Sequence, residues 1–145
     1  MASNQALEIV QDGLDRHARA TLSGDIDAMM AYSDIPCAIE TLSGKVVAKN
    51  TSEMRAICEA LVNSINAKQL SHMVRRCFEA EFNSEDTIWA TYETRFIRNG
   101  VELAEDTYTS FIILKKRTDG WRFSSIQLLV SEGDPVSATL KNRFA

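Results

Sequence analysis

The strongest constraint on the fold is an Asn-Gly pair at positions 99 and 100, set between two long runs of strand-forming residues. The runs 87–98 and 101–114 are both rich in Thr, Ile, Tyr and Phe, which favour strands. Asn and Gly readily adopt the positive φ angles of a two-residue hairpin turn. A second turn at 118–120 leads into another apolar run. The second half of the chain is therefore predicted to form an antiparallel meander.

The first half carries the three- and four-residue apolar spacing of amphipathic helices. Helices are predicted over 4–22, over 26–32 and from a cap at Thr51 or Ser52 through Ile65. Short strands are predicted at 37–41 and 45–48, and a longer one at 72–82. Helices followed by a meander indicate an α+β fold. We expect one domain over residues 1–145, with a core over about 5–130 and a polar tail over 131–145.

Composition narrows the classes of partner. A net charge of −4 argues against a nucleic-acid-binding surface, which would carry clustered Lys and Arg. The sequence contains no apolar run near 18 residues, so no membrane span is predicted. It shows no charged-then-apolar leader either, so the expected location is the cytoplasm. Neither nucleic acid nor membrane is expected as a partner.

The chain has three cysteines, Cys37, Cys58 and Cys77, in apolar or amphipathic runs. Their spacing matches no metal motif, so buried free thiols in a reducing compartment are the favoured interpretation, and a Cys nucleophile is the alternative. No metal and no cofactor is expected.

Two short segments carry a family resemblance. The sequence LSGDIDAMM at 22–30 resembles the Gly-Asp helix junction of the NTF2-like, or SnoaL-like, superfamily, and TDGWRF at 118–123 resembles its final hairpin. The resemblance covers roughly residues 5 to 130 and implies a cone of helices on a strongly curved sheet, with a pocket at the open end. Its members include ketosteroid isomerase, scytalone dehydratase, polyketide cyclases and transport factors, so the fold alone does not give the function.

Comparison with ketosteroid isomerase tests one activity. The residue seven before Gly24, where that enzyme has its helix-one Tyr, is His17, which could still donate to an oxyanion. Ile39-Glu40 matches the pair before the enzyme's general-base Asp, but the next residue is Thr41. The stretch 109–112, which corresponds to its protonated Asp, has no acid. Isomerase activity is therefore not predicted by this resemblance.

The candidate site residues follow from the pocket that the resemblance implies. His72 and His17 are the candidate catalytic residues, because imidazole suits acid–base work near neutral pH. The alternative interpretation of His17 is a packing or partly exposed helix residue, and that of Glu40 is a solvated strand residue. The expected ligand-pocket residues are Tyr32, Glu40, Tyr92 and Phe111.

The hairpin register predicts a second surface. A two-residue turn at 99–100 would pair 92 with 107 and 88 with 111, placing Phe111 on one face with Tyr92. The other face would expose a large apolar surface, which is predicted to form a homodimer sheet to sheet, unless the tail covers it. Its members would be Trp89, Tyr108, Ile112, Leu114 and Phe123.

Three functions remain open on these grounds. The first is binding of a small apolar organic ligand in the pocket, without an assigned role. The second is a lyase or isomerase with His72 as base and His17 as acid or oxyanion donor. The third is a non-enzymatic dimeric interaction module.

Overall fold

A computed structural model describes residues 2–104 and 107–129; the predicted tail over 131–145 lies outside them. In chain order the elements are α1 (Ala2–Ser23), α2 (Ile26–Ala31), β1 (Ser33–Thr41), β2 (Gly44–Ala48), α3 (Thr51–Ala67), β3 (Leu70–Ser84), β4 (Thr87–Arg98), β5 (Glu102–Leu103), β6 (Tyr108–Arg117) and β7 (Gly120–Leu128). The predicted α+β order is confirmed. No helix in the described ranges is long and apolar enough to span a membrane.

The helix boundaries follow from local capping. Gly24 ends α1 at a positive φ of 75°, and the Asp25 side chain accepts a hydrogen bond from the backbone N–H of Ala28 at the start of α2. Asn50 caps α3 by accepting from the N–H of Glu53, while the Glu53 carboxylate accepts from the N–H of Lys49. The cap is therefore Asn50, one residue before the predicted Thr51 and two before the predicted Ser52.

The strands form one mixed sheet in the order β2-β1-β7-β6-β4-β3, with β5 paired to β4. β1 and β7 run parallel, and the other pairs run antiparallel. Register shifts in the β3–β4 pair bend its long strands. Buried residues of α1, α2 and α3 pack with inward residues of the sheet in two apolar clusters. We call this helix-covered side of the sheet the inner face and the opposite side the outer face.

The first hairpin corrects the predicted register. Arg98 pairs with Glu102, so three residues rather than two form the turn, and the register shifts by two more between the Ile97–Leu103 pair and the Thr94–Tyr108 pair. Ile88 consequently pairs with Leu114 and Tyr92 with Ser110, a slip of three residues from the prediction. Because side chains alternate along a strand, an odd slip exchanges the two faces of β6. The second hairpin has the predicted pairing of Lys116 with Trp121.

This exchange changes the predicted dimer surface. Four of its five members are core residues on the inner face: Tyr108, Ile112, Leu114 and Phe123, each at most 7% exposed. Trp89 lies on the outer face and is 41% exposed. Phe111, expected beside Tyr92, lies on the outer face next to the Trp89 ring. The set of apolar side chains that the outer face does carry, which includes Trp89 and Phe111, therefore differs from the predicted set.

Candidate functional site

A small cavity lies between the helices and the inner face of the sheet. The volume that the centre of a water-sized sphere can occupy in this cavity is about 80 Å³. A water needs roughly 10–15 Å³ by this measure, so the cavity has room for on the order of six waters or a small organic molecule. Its walls are mainly apolar, with residues such as Met29, Cys37, Ile57, Cys58, Leu61 and Phe123. Six polar side chains also line it: His17, Ser33, Arg75, Tyr92, Thr94 and Tyr108.

Arg75 is the charged group of this cavity. It points inward from β3 and is only 7% exposed. Its Nη2 donates to the carbonyl of Leu14 over 3.0 Å and to Nδ1 of His17 over 2.8 Å. Gln11 fixes this strand to α1, since its side chain donates to the Arg75 carbonyl and accepts from the N–H of Cys77, both over 2.8 Å. The guanidinium is thus held by two elements that pack together.

His17 meets Arg75 from α1. Its ring also contacts the rings of Phe123 and Tyr32, with centroids 5.5 Å and 6.3 Å away. Burial, and secondarily the positive charge of Arg75, lowers the pKa of His17 well below its ordinary value of 6.5. The imidazole is therefore neutral at pH 7. Because Nδ1 accepts from Arg75, the ring proton belongs on Nε2, which makes that nitrogen a donor.

Tyr92 and Thr94 come from adjacent inward positions of β4. Burial raises the pKa of Tyr92, although nearby Arg75 and Ser110 oppose the shift, so the phenol stays protonated. Thr94 is the register partner of Arg75, and its Oγ1 has no hydrogen-bond partner among the described residues.

The structure brings two of the predicted site residues, His17 and Tyr92, to the cavity. The Tyr32 ring contacts His17 edge-on, but Tyr32 lines a separate cleft between α1 and the β6–β7 hairpin that also includes Asp12 and Arg16. Glu40 and Phe111 line a shallow groove elsewhere, where Glu40 accepts from the Gln127 side chain over 3.1 Å. The expectation that these two residues line the internal pocket is corrected by the β6 register and by the outward position of Glu40 in β1.

The structure also corrects the expected position of His72. This residue is exposed on β3, where its ring contacts the Ser71 hydroxyl over 3.0 Å, and it does not line the cavity. Met73 and Arg75 point inward, so His72 points to the outer face with Val74. His72 and His17 lie on opposite sides of the sheet and do not form an acid–base pair.

Sequence reasoning missed Arg75 and Thr94 because the pattern of β3 is ambiguous. Its even positions, with Val74 and Phe78, are more apolar than its odd ones, yet Val74 is 47% and Phe78 50% exposed. A register shift between Cys77 and Glu79 then changes which positions face inward. The signal that could have identified these two residues is the cross-strand pairing of Arg75 with Thr94, which can be recognised only once the strand register is known.

The three cysteines are free and buried, as predicted. Burial raises the pKa of Cys37 to about 12 and that of Cys58 to about 11, so these cavity-lining thiols stay protonated at neutral pH. Within the described ranges, no group of three or more His, Cys, Asp or Glu side chains could hold a metal ion.

Comparison with solved structures defines the fold. The chain is similar to a domain of unknown function with a cystatin-like fold from Nostoc punctiforme, at 14% identity and a TM-score of 0.68 over 88% of this chain and 78% of that one. An NTF2-like protein from Novosphingobium aromaticivorans gives 13% identity and a TM-score of 0.66 over 94% and 88%. An NTF2-like protein from Shewanella oneidensis gives 13% and 0.68 over 85% and 98%.

These likenesses show that the chain has the NTF2-like, cystatin-like fold, as the two sequence segments predicted. No family model matches the sequence. No curated protein matches it either.

Proposed function

We propose that this protein binds a small organic molecule in the cavity between its helices and the inner face of its sheet. The observation that supports the proposal is the wall itself, which is mainly apolar and carries six polar side chains contributed by α1, β1, β3, β4 and β6. Small-molecule sites combine an apolar enclosure with a few polar groups that orient the ligand. Binding is proposed rather than turnover, because the acid–base pair expected from His72 and His17 does not form.

A cavity-filling variant tests this proposal. Cys58→Leu adds a larger apolar side chain at a lining position on α3, and the empty space limits the cost of overpacking. A fragment library screened by ligand-observed NMR should give binders to the native protein that Cys58→Leu loses. Val74→Leu, on the outer face, is the control and should keep them. The proposal fails if no fragment binds, or if the binders are retained by the filled variant.

We also propose that the outer face forms a homodimer, since it carries an apolar patch of five side chains. The outer-face patch comprises Val74, Phe78, Trp89, Phe111 and Ile113. Three of them, Val74, Phe78 and Trp89, are 41–50% exposed, which is unusual for a monomer.

The charges beside the patch favour a second copy of the chain as the occupant. Arg76 lies opposite Glu93 in the β3–β4 pairing, and Arg95 donates to the Glu93 carboxylate over 3.1 Å. A two-fold interface must be self-complementary, and a surface with both signs of charge beside its apolar centre meets that condition.

Sedimentation equilibrium tests the dimer. Native protein should sediment as a dimer, and Trp89→Glu should shift it to monomer because two carboxylates would be buried in one interface. Leu42→Glu is the control, since Leu42 is exposed in the β1–β2 turn, outside the patch. A monomeric native protein at tens of micromolar would refute this second proposal.

A further inference from the structure

We infer that the ligand of this cavity is a small organic carboxylate whose anionic group is bound by Arg75. The inference rests on the binding function proposed above and adds the chemical class of the ligand. It follows from the charge balance of the cavity, from its unpaired donors and from its size.

The charge of Arg75 has no described counter-ion. A guanidinium keeps its proton under all ordinary conditions, so Arg75 is a cation even though burial lowers its pKa. The groups that it contacts, the Leu14 carbonyl, Nδ1 of His17 and the protonated Tyr92, are all neutral. Within residues 2–104 and 107–129, ion pairs are formed by other arginines, such as Arg16 and Arg117, and not by Arg75. Asp15 interacts with Arg75 electrostatically but forms no ion pair with it.

A buried charge of this kind is unfavourable unless an opposite charge and hydrogen bonds compensate it. Natural proteins retain such strained arrangements mainly at functional sites. A ligand that brings one negative charge into the cavity would compensate Arg75 directly.

The unpaired polar atoms around Arg75 need an acceptor. Nε of Arg75 is a donor without a described partner, and the neighbouring Thr94 hydroxyl is also unpaired. The tautomer of His17 makes its Nε2 a donor. The protonated Tyr92, which interacts with Arg75 and Ser110, places a further hydroxyl at the cavity wall. A carboxylate is an acceptor-only group with two oxygens, which complements a wall of donors.

Size and charge narrow the anion. Arg75 is the one Lys or Arg among the described lining residues, so it matches a monoanion better than a phosphate dianion. The space of about 80 Å³ admits a small body only, and its mainly apolar wall would receive the hydrocarbon part of the molecule. Benzoate and butyrate are simple probes with these properties.

The test compares acids with their uncharged amides. Isothermal titration at pH 7.5 would measure benzoate against benzamide and butyrate against butyramide, with the native chain, Arg75→Met and Arg75→Lys. We expect at least one acid to bind at least tenfold more tightly than its amide, which is the size of effect that one charge-assisted hydrogen bond gives. Arg75→Met should abolish that preference, and Arg75→Lys should retain part of it.

Arg75→Met is expected to fold, since an apolar residue of similar length often replaces a buried charge without loss of stability. Thr94→Val provides a second variant that leaves Arg75 in place and should weaken acid binding by a smaller factor. Circular dichroism would verify the fold of each variant.

The outcomes separate the two proposals. If amides bind as tightly as acids, or if Arg75→Met binds acids unchanged, the carboxylate assignment is wrong and the binding function stands. If neither the probes nor the fragment library binds the native chain, the binding function fails and the assignment fails with it. If fragments bind but all acids are excluded, the assignment alone is refuted.

Discussion

The inner and outer faces of the sheet carry the same residue types but expose them to different extents. On the inner face, Phe96 and Thr94 of β4 are each 1% exposed, and the Thr94 hydroxyl lacks a described partner. On the outer face, Phe78 of β3 is 50% exposed, and Thr91 is only half-buried. Apolar character therefore does not distinguish the faces. Burial by the helices does, and it makes the inner face the place where polar groups acquire unusual properties.

The largest expected effect is a difference in stability between alanine variants of two phenylalanines, one on each face. Phe96→Ala would remove a fully buried ring and leave a cavity, which costs about 3–5 kcal/mol in free energy of unfolding. Phe78→Ala on the outer face should change the stability of the isolated subunit by about 0.5 kcal/mol or less. Urea denaturation of both variants at low protein concentration, where a dimer would dissociate, measures the difference. Equal losses would show that the outer face is covered within a single chain.

The assignment of residues to the two faces also explains which parts of the fold could be predicted from the sequence. Helix limits and the second hairpin depend on local signals such as Asp25 and Gly120, and the structure agrees with them to within a few residues. The first hairpin depends on counting residues across its turn. There, Asn99 and Gly100 adopt the expected positive φ, but one extra turn residue and a further register shift of two between β5 and β6 give an odd total slip, which exchanges the faces of β6.

The candidate site could be predicted only in part, because one of its residues depends on the register of the strands. His17 follows from helix periodicity and from the position of Gly24, both of which are local. Arg75 is recognisable only when β3 is paired with β4 and covered by α1, because its isolated sequence context is a run of alternating charged and apolar residues. A buried cation is a property of the assembled layers, and neither strand contains it alone.

A smaller effect is expected from the pH dependence of stability, which arises on the inner face at His17. The folded chain holds this imidazole neutral, with a pKa well below 6.5, while the unfolded chain binds a proton near 6.5. Below that pH the unfolded state therefore binds more protons, and the free energy of unfolding should fall by about 1.4 kcal/mol per pH unit until the folded pKa is reached.

Urea denaturation between pH 7.5 and 5.5 would measure this slope in the native chain and in His17→Gln. The glutamine oxygen can still accept from Arg75 and does not titrate, so the variant should lose the contribution of one proton. His72→Gln, on the outer face, is the matched control. An unchanged slope in His17→Gln would mean that His17 titrates normally in the folded chain.

The smallest effect distinguishes the two threonines of β4. Thr94→Val replaces a buried hydroxyl that has no described partner with a methyl group of the same size, so the free energy of unfolding should rise by about 1 kcal/mol. Thr91→Val on the outer face should change it by a few tenths of a kcal/mol. A gain in stability at Thr94 alone would mark a position where the chain is less stable than it could be, as expected of a residue kept for a ligand. Destabilisation by Thr94→Val would instead place a hydrogen-bonded water at Oγ1, and the cavity would then be partly filled by solvent that any ligand must displace.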